Sequence, residues 1–201
     1  MNKNLGVLLD KSTLISGCSE TRCISHSLLN YLQENRLGIT TKPIIRGVKK
    51  RLFHHKAYAI SRLNDALCYL KVEELNPFDQ KRNYFKVVNF FQYVQNSIFK
   101  DRSLENSILP PSVSSRFYSI AREIDEGKQS DPALRKQIWD NPENEDMNIL
   151  AEALCLKNKY EPLFITSEDY HFIDDLVSNA IKETFGIECY TPEKTLSKLR
   201  K

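Results

Sequence analysis

Three aspartates stand at the edges of apolar segments, where a charge is costly to bury. Asp10 ends the run "LGVLLD", Asp146 opens the helical stretch "NEDMNILAEAL", and Asp169 follows the run "PLFITSED". Taken singly, each suits a helix start, where backbone N–H groups lack partners and the dipole is positive. Gathered at one edge they are sustained only by protonation, by Lys/Arg or by a cation, because like charges about 4 Å apart repel by roughly 4 kcal/mol at an effective dielectric near 20. Hard oxygen donors with open positions suit Mg²⁺ or Mn²⁺. Such ions orient a water, lower its pKa and neutralise charge developing on a phosphate. The chemistry to which this set points is phosphodiester cleavage.

The elements needed to gather these residues can be read from the same sequence. "LGVLL" is a continuous apolar strand of the kind found in a sheet covered on both faces. "SHSLLNYLQENRLG" carries Leu28, Leu29 and Leu32 on one helical face and stops at Gly38. "GITT" is a second strand, and Thr41 with Pro43 opens the helix "KPIIRGVKKRLF". Helix continues through "AYAISRLNDALCYLKVEE". The strand "PLFIT" is preceded by a helix from Glu143 to about Lys157 and followed by the helix "FIDDLVSNAIKETFG", the strand "IECY" and a helix starting at "TPEKTL". Strands alternating with helices predict an α/β fold with a central parallel sheet. In such sheets ligands bind beyond the carboxyl ends of the strands, where Asp10 and Asp169 fall.

The 201 residues suffice for one core, with no Pro/Ser/Gly-rich linker to divide them, so a single domain over 1–201 is expected. Between about 76 and 141 the pattern changes to a helical insertion, with an aromatic helix in which Tyr84, Phe85, Val88, Phe91 and Val94 form a stripe read as core, as is Trp139. Five scattered cysteines argue against a disulfide framework and for a reducing compartment. No apolar run is long enough to span a bilayer, and no signal-peptide core opens the chain, so a cytoplasmic protein is the expectation. Neither G-x-G-x-x-G nor G-x-x-x-x-G-K-[ST] follows the first strand, which sets aside a nucleotide-binding Rossmann domain.

The motifs, in their order, carry a resemblance. "VLLDKSTLISG" resembles the opening strand of PIN domains, matching at Asp10 and Ser12; "EDMNILAEAL" is similar to that family's Asp-x-x-Ile-Leu-Ala helix at Asp146. "TSEDYHF" fits the closing Ser/Thr-x-Asp-x-x-Phe motif at Ser167, Asp169 and Phe172, and "IECYTPEKTL" resembles the last strand and helix start. The resemblance covers about 4–62 and 141–200. It implies a Rossmann-like three-layer sandwich and a divalent-metal endoribonuclease, with Asp10, Asp146 and Asp169 as catalytic metal ligands and Ser12 and Ser167 hydrogen-bonding behind them. It further implies RNA as partner, and a homodimer or an antitoxin as protein partners.

The sequence departs from the family pattern once. Gly47 stands in "IIRGVKKRL" where an acid is usual, at a helix-interior cost of roughly 1 kcal/mol relative to Ala. Glu143, one turn before Asp146, is an alternative ligand, whereas Glu145 is read as solvated. From Asn35 to Asn64 the chain is basic without an acid, which fits either a solvated helix face or a phosphate-binding patch through Arg46, Lys49 and Lys50. A metal-dependent ribonuclease is therefore one reading, and a catalytically weakened PIN-like protein that binds RNA or a protein partner is the other.

Overall fold

The structure, a computed structural model, describes residues 4–53, 57–99, 144–173 and 175–201. Five parallel strands form one sheet in the order β3-β2-β1-β4-β5. They are β1 (Asn4–Leu9), β2 (Gly38–Thr41), β3 (Lys71–Glu73), β4 (Tyr160–Thr166) and β5 (Glu188–Tyr190). Between β1 and β2 run α1 (Lys11–Ser19) and α2 (Ile24–Asn35); between β2 and β3 run α3 (Lys42–Leu52) and α4 (Ala57–Leu67). The chain returns through α5 (Pro77–Phe99) and α6 (Asn144–Leu156) to β4, then through α7 (Tyr170–Ile173) and α8 (Asp175–Phe185) to β5, and ends in α9 (Pro192–Leu199). Right-handed crossovers put helices that follow β1 and β2 on one face and those that follow β3 and β4 on the other, because the direction of travel across the sheet reverses. The result is an α/β three-layer sandwich, as the alternating pattern predicts.

The central strands are apolar throughout because both faces are covered: Val7, Leu8, Leu9, Ile39 and Ile165 are fully buried. Side chains that satisfy the first backbone N–H groups start the helices. Thr41 Oγ1 accepts from Ile44 N at 3.4 Å, and Thr191 Oγ1 accepts from Lys194 N at 3.2 Å, each with proline in the first turn. Two elements differ from the sequence reading. The stretch that reads as helix through "LKVEE" instead ends with α4 at Leu67 and supplies β3, an edge strand too short to show a two-residue alternation. Lys11–Ser19 is helical although its apolar residues have weak periodicity; Asp10 accepts from the Lys11 backbone N–H at its start.

The aromatic stripe on α5 also needs correction. Asn83, Val87, Phe90 and Phe91 face inward, whereas Phe85 is 55% exposed. Phe90 packs edge-on to Phe185 at 5.0 Å, so the inward face is set by contact with α8 as well as with α6. The Val94 side chain, Trp139, Glu143 and most of the expected insertion lie outside the described residues. No helix among the described residues is long and apolar enough to cross a membrane. All five cysteines are free thiols.

Gly6 in β1 is required by a close approach. The Tyr160 ring lies across it, and the Tyr160 hydroxyl donates to Glu73 at the far edge of the sheet. A Cβ at Gly6 would stand 2.5 Å from Ile39 Cδ1 and 2.8 Å from the ring. Gly6→Val is expected to destabilise the fold by about 1–3 kcal/mol through overpacking, read as a lower urea midpoint with an unchanged slope.

Candidate functional site

The strand order reverses between β1 and β4: the chain moves from β1 outward to β3, then restarts on the other side of β1. A crevice opens outside the carboxyl ends of strands at such a reversal. Asp10 is the first residue past β1, Ser167 the first past β4, and Asp169 two further on. The parallel register, with Leu9 opposite Thr166, brings these ends level.

Asp10 is 2% exposed and yet holds a carboxylate there through polar partners. Ser12 Oγ and Ser167 Oγ donate to its Oδ2 at 2.8 and 2.6 Å, and the Lys11 backbone N–H donates to Oδ1. Both hydroxyl protons are thereby committed, so the serine oxygens turn lone pairs outward. Ser12 Oγ accepts from Glu168 N at 3.0 Å and Ser167 Oγ accepts from Asp169 N at 2.9 Å. Burial pushes the Asp10 carboxyl above its ordinary range; the two serines and the backbone N–H oppose the shift, and the nearby Asp169 adds to it.

Asp146 and Asp169 meet with a third residue, His171. One donor atom from each lies within 4.8 Å of the others. His171 Nδ1 is 2.9 Å from Asp169 Oδ1 and 3.5 Å from Asp146 Oδ2. The same Asp169 oxygen accepts the His171 backbone N–H at 2.9 Å. The imidazole, the backbone N–H and Lys11 hold the Asp169 carboxyl below its ordinary range against partial burial. Asp146, 8% exposed, enters from the first turn of α6. Of the acids expected to share a metal, two therefore form a group with an imidazole. Asp10 lies outside that group, bound to the serines that set the loop carrying Asp169.

Gly47 lies against the Lys11 side chain. A Cβ there would stand 3.2 Å from Lys11 Cδ, so the lysine stem crosses α3 at the glycine. Its ammonium pairs with Glu145, which is exposed as expected but carries a partner that the sequence did not suggest. Arg46 and Lys50 line a hollow with Lys11 and Gly47, whereas Lys49, on the same helix, is exposed outside that lining.

Behind the hollow is Glu152, 1% exposed, accepting from Thr41 Oγ1 and, at 3.1 Å, from Gln80 Nε2. Burial pushes its carboxyl up to about 7; the Thr41 hydrogen bond opposes this, and Asp10 adds to it. His171, Lys11 and Glu152 were not among the residues singled out from the sequence. Glu152 had a signal, since it stands three residues after the buried Ile149 on the apolar face of α6.

The sign of the Glu152 shift fixes a pH dependence. A raised acid adds stability that is complete below its unfolded value, near 4.5, and is lost as pH rises through about 7. In urea unfolding, the wild type is expected to lose roughly 3 kcal/mol relative to Glu152→Gln between about pH 4 and about pH 8. Parallel curves for the two proteins would remove Glu152 from this role.

Comparison with family models, with curated proteins and with solved structures returns no match, so the chemistry of this edge rests on its own residues.

Proposed function

We propose that the protein is a divalent-metal-dependent endoribonuclease of PIN-like type. The observation that carries this reading is the convergence of Asp146, Asp169 and His171 at the sheet's reversal point, beside the buried Asp10. Two carboxylates and an imidazole fit a divalent ion, and the nitrogen donor favours Mn²⁺ over Mg²⁺. Asp146, Asp169 and His171 would hold it. A bound ion would supply an activated water and neutralise charge on the phosphate.

The chain's own residues support the remaining work. Asp10, through Ser12 and Ser167, fixes the 167–169 loop and so the direction of the Asp169 carboxylate. His171 Nδ1 lies between the two carboxylates, so a proton there and an ion compete for the same oxygens. Arg46 and Lys50 offer charge for the RNA backbone, with Lys49 placed less favourably. The second reading, a weakened protein that binds RNA without cutting it, is favoured by one feature: the Lys11 stem packs where the family's second acid would stand.

A labelled single-stranded RNA incubated with Mn²⁺, with Mg²⁺ or with chelator tests the choice. Cleavage is expected with Mn²⁺ at the higher rate. Asp146→Asn should lower it about 100-fold or more, and His171→Ala by roughly 10- to 100-fold with a smaller preference for Mn²⁺. RNA that binds but is never cut with either ion would sink the nuclease and leave the binding protein.

Binding separates from cleavage in the salt dependence. For Asp146→Asn, adding Arg46→Ala and Lys50→Ala should lower affinity and flatten the plot of log K against log salt, by about 0.7 for each phosphate of a single strand that is no longer neutralised. Lys49→Ala should change the slope less than either. Equal slopes for all variants would return the basic helix to the status of a solvated face.

A further inference from the structure

Beside Gly47 lies a hollow of about 380 Å³ between α3, α5 and α6. Pro43, Ile44 and Ile149 give it apolar walls; Arg46 and Lys50 bring cations to it, Lys11 is paired there with Glu145, and Glu152 lines its floor. Two amides also face into it, Gln80 from α5 and Asn148 from α6. Their orientations are fixed from behind. Gln80 Nε2 donates to Glu152, which is itself held by Thr41, and Asn148 Nδ2 donates to Asn144 O at 2.7 Å. The amide carbonyl oxygens, and one N–H of each amide, are left for whatever enters. A mostly apolar slot with a few fixed donors and acceptors is the form of a site for a flat heteroaromatic ligand.

We propose that this hollow is a nucleobase subsite, taking one unpaired base of a single strand while Arg46 and Lys50 hold the phosphate attached to it. The proposal rests on the reading of the protein as one that acts on RNA, and it adds what that reading lacks, a contact to a base. An apolar slot alone would take any aromatic group, and a cationic rim alone any phosphate. Their juxtaposition selects a ligand carrying both. The amide pattern of donor beside acceptor matches the amino edge of adenine. A second hollow of about 450 Å³ shares Gln80 and Asn148 and is lined by Tyr84 and Lys81, so the groove continues along α5 and α6 for the next nucleotide of a strand. The aromatic ring and lysine there repeat the same pair of chemistries. Gly47 borders the hollow with no side chain of its own, and the Lys11 stem lies against it.

The probe is adenosine 5′-monophosphate, with ribose 5-phosphate as the baseless control, titrated calorimetrically into the protein without divalent metal. The nucleotide is expected to bind about tenfold or more tightly than the control, and to displace a labelled single-stranded oligoadenylate. Gly47→Leu, which crowds the hollow and the Lys11 stem beside it, should lower nucleotide affinity about tenfold; Gln80→Leu, on a different helix, guards against a folding defect in the first variant. Both variants should bind ribose 5-phosphate as the wild type does. Equal affinity for nucleotide and control, wild-type binding by both variants once circular dichroism shows them folded, or nucleotide binding that leaves the oligoadenylate in place would each overturn the subsite. RNA that is captured in competition with the nucleotide but never cut with Mn²⁺ or Mg²⁺ would sink the nuclease reading alone and uphold the subsite.

Discussion

A carboxylate out of water needs several donors, and Asp10 takes them from both sides of a strand pair. Ser12 reaches it from the start of α1 and Ser167 from the end of β4, at 2.8 and 2.6 Å. A serine has a single proton, so once that proton points to Asp10 the hydroxyl oxygen can only accept, and it accepts from the backbone of Glu168 or Asp169. One buried carboxyl group therefore organises four hydrogen bonds. The segment after β4 is fixed by them, and with it the places of Asp169 and His171. A neutral side chain at position 10 would leave the serines free to turn, and the loop would lose the reason for its present course.

The rest of the edge is a balance of charge around that fixed point. Asp146 and Asp169 face each other with the His171 ring between them, and Lys11 lowers the Asp169 carboxyl from the other side. Lys11 can do so because position 47 has no side chain, which lets its stem cross α3. Gly47 is thus costly to helix α3 and useful to its neighbours. Glu152 lies deeper and shows the opposite solution: with no cation against it, burial dominates and the proton is retained toward neutral pH.

Much of the frame was legible in the sequence for a physical reason. Strands covered on both faces are rich in apolar residues, so the runs in β1 and β4 declare themselves, and a threonine with a proline just after it marks the starts of α3 and α9. The edge strand β3 has exposed residues, among them Lys71 and Val72, and is read locally as a continuation of α4. The phase of α5 was misjudged because its aromatic residues exceed what one face can bury: Phe85 and Phe91 differ by six residues, more than a turn and a half, and only Phe91 meets the core. The aspartates stood out by position at element ends. The part played by His171 did not, since a lone histidine acquires meaning only when a segment from far away sets an acid beside it, and here that acid is Asp146. Lys11 likewise looked like the unconstrained residue of its motif until the glycine on α3 gave its stem a place to lie.

The sheet's central pairing joins residues that are far apart in the sequence. Ser167 and Asp10 are 157 positions apart, and β1 has β4 as one of its two neighbours. Pairings of such separation form late, after loop closure has been achieved, and during synthesis they cannot form until the later partner has left the ribosome. Until that moment β1 has a bare edge, Asp10 lacks one of its two serines, and the acids at 146 and 169 are not both present. During synthesis the acidic edge therefore stays incomplete until the segment that carries Ser167 and Asp169 has emerged, and the buried carboxyl of Asp10 waits for a donor made 157 residues after it.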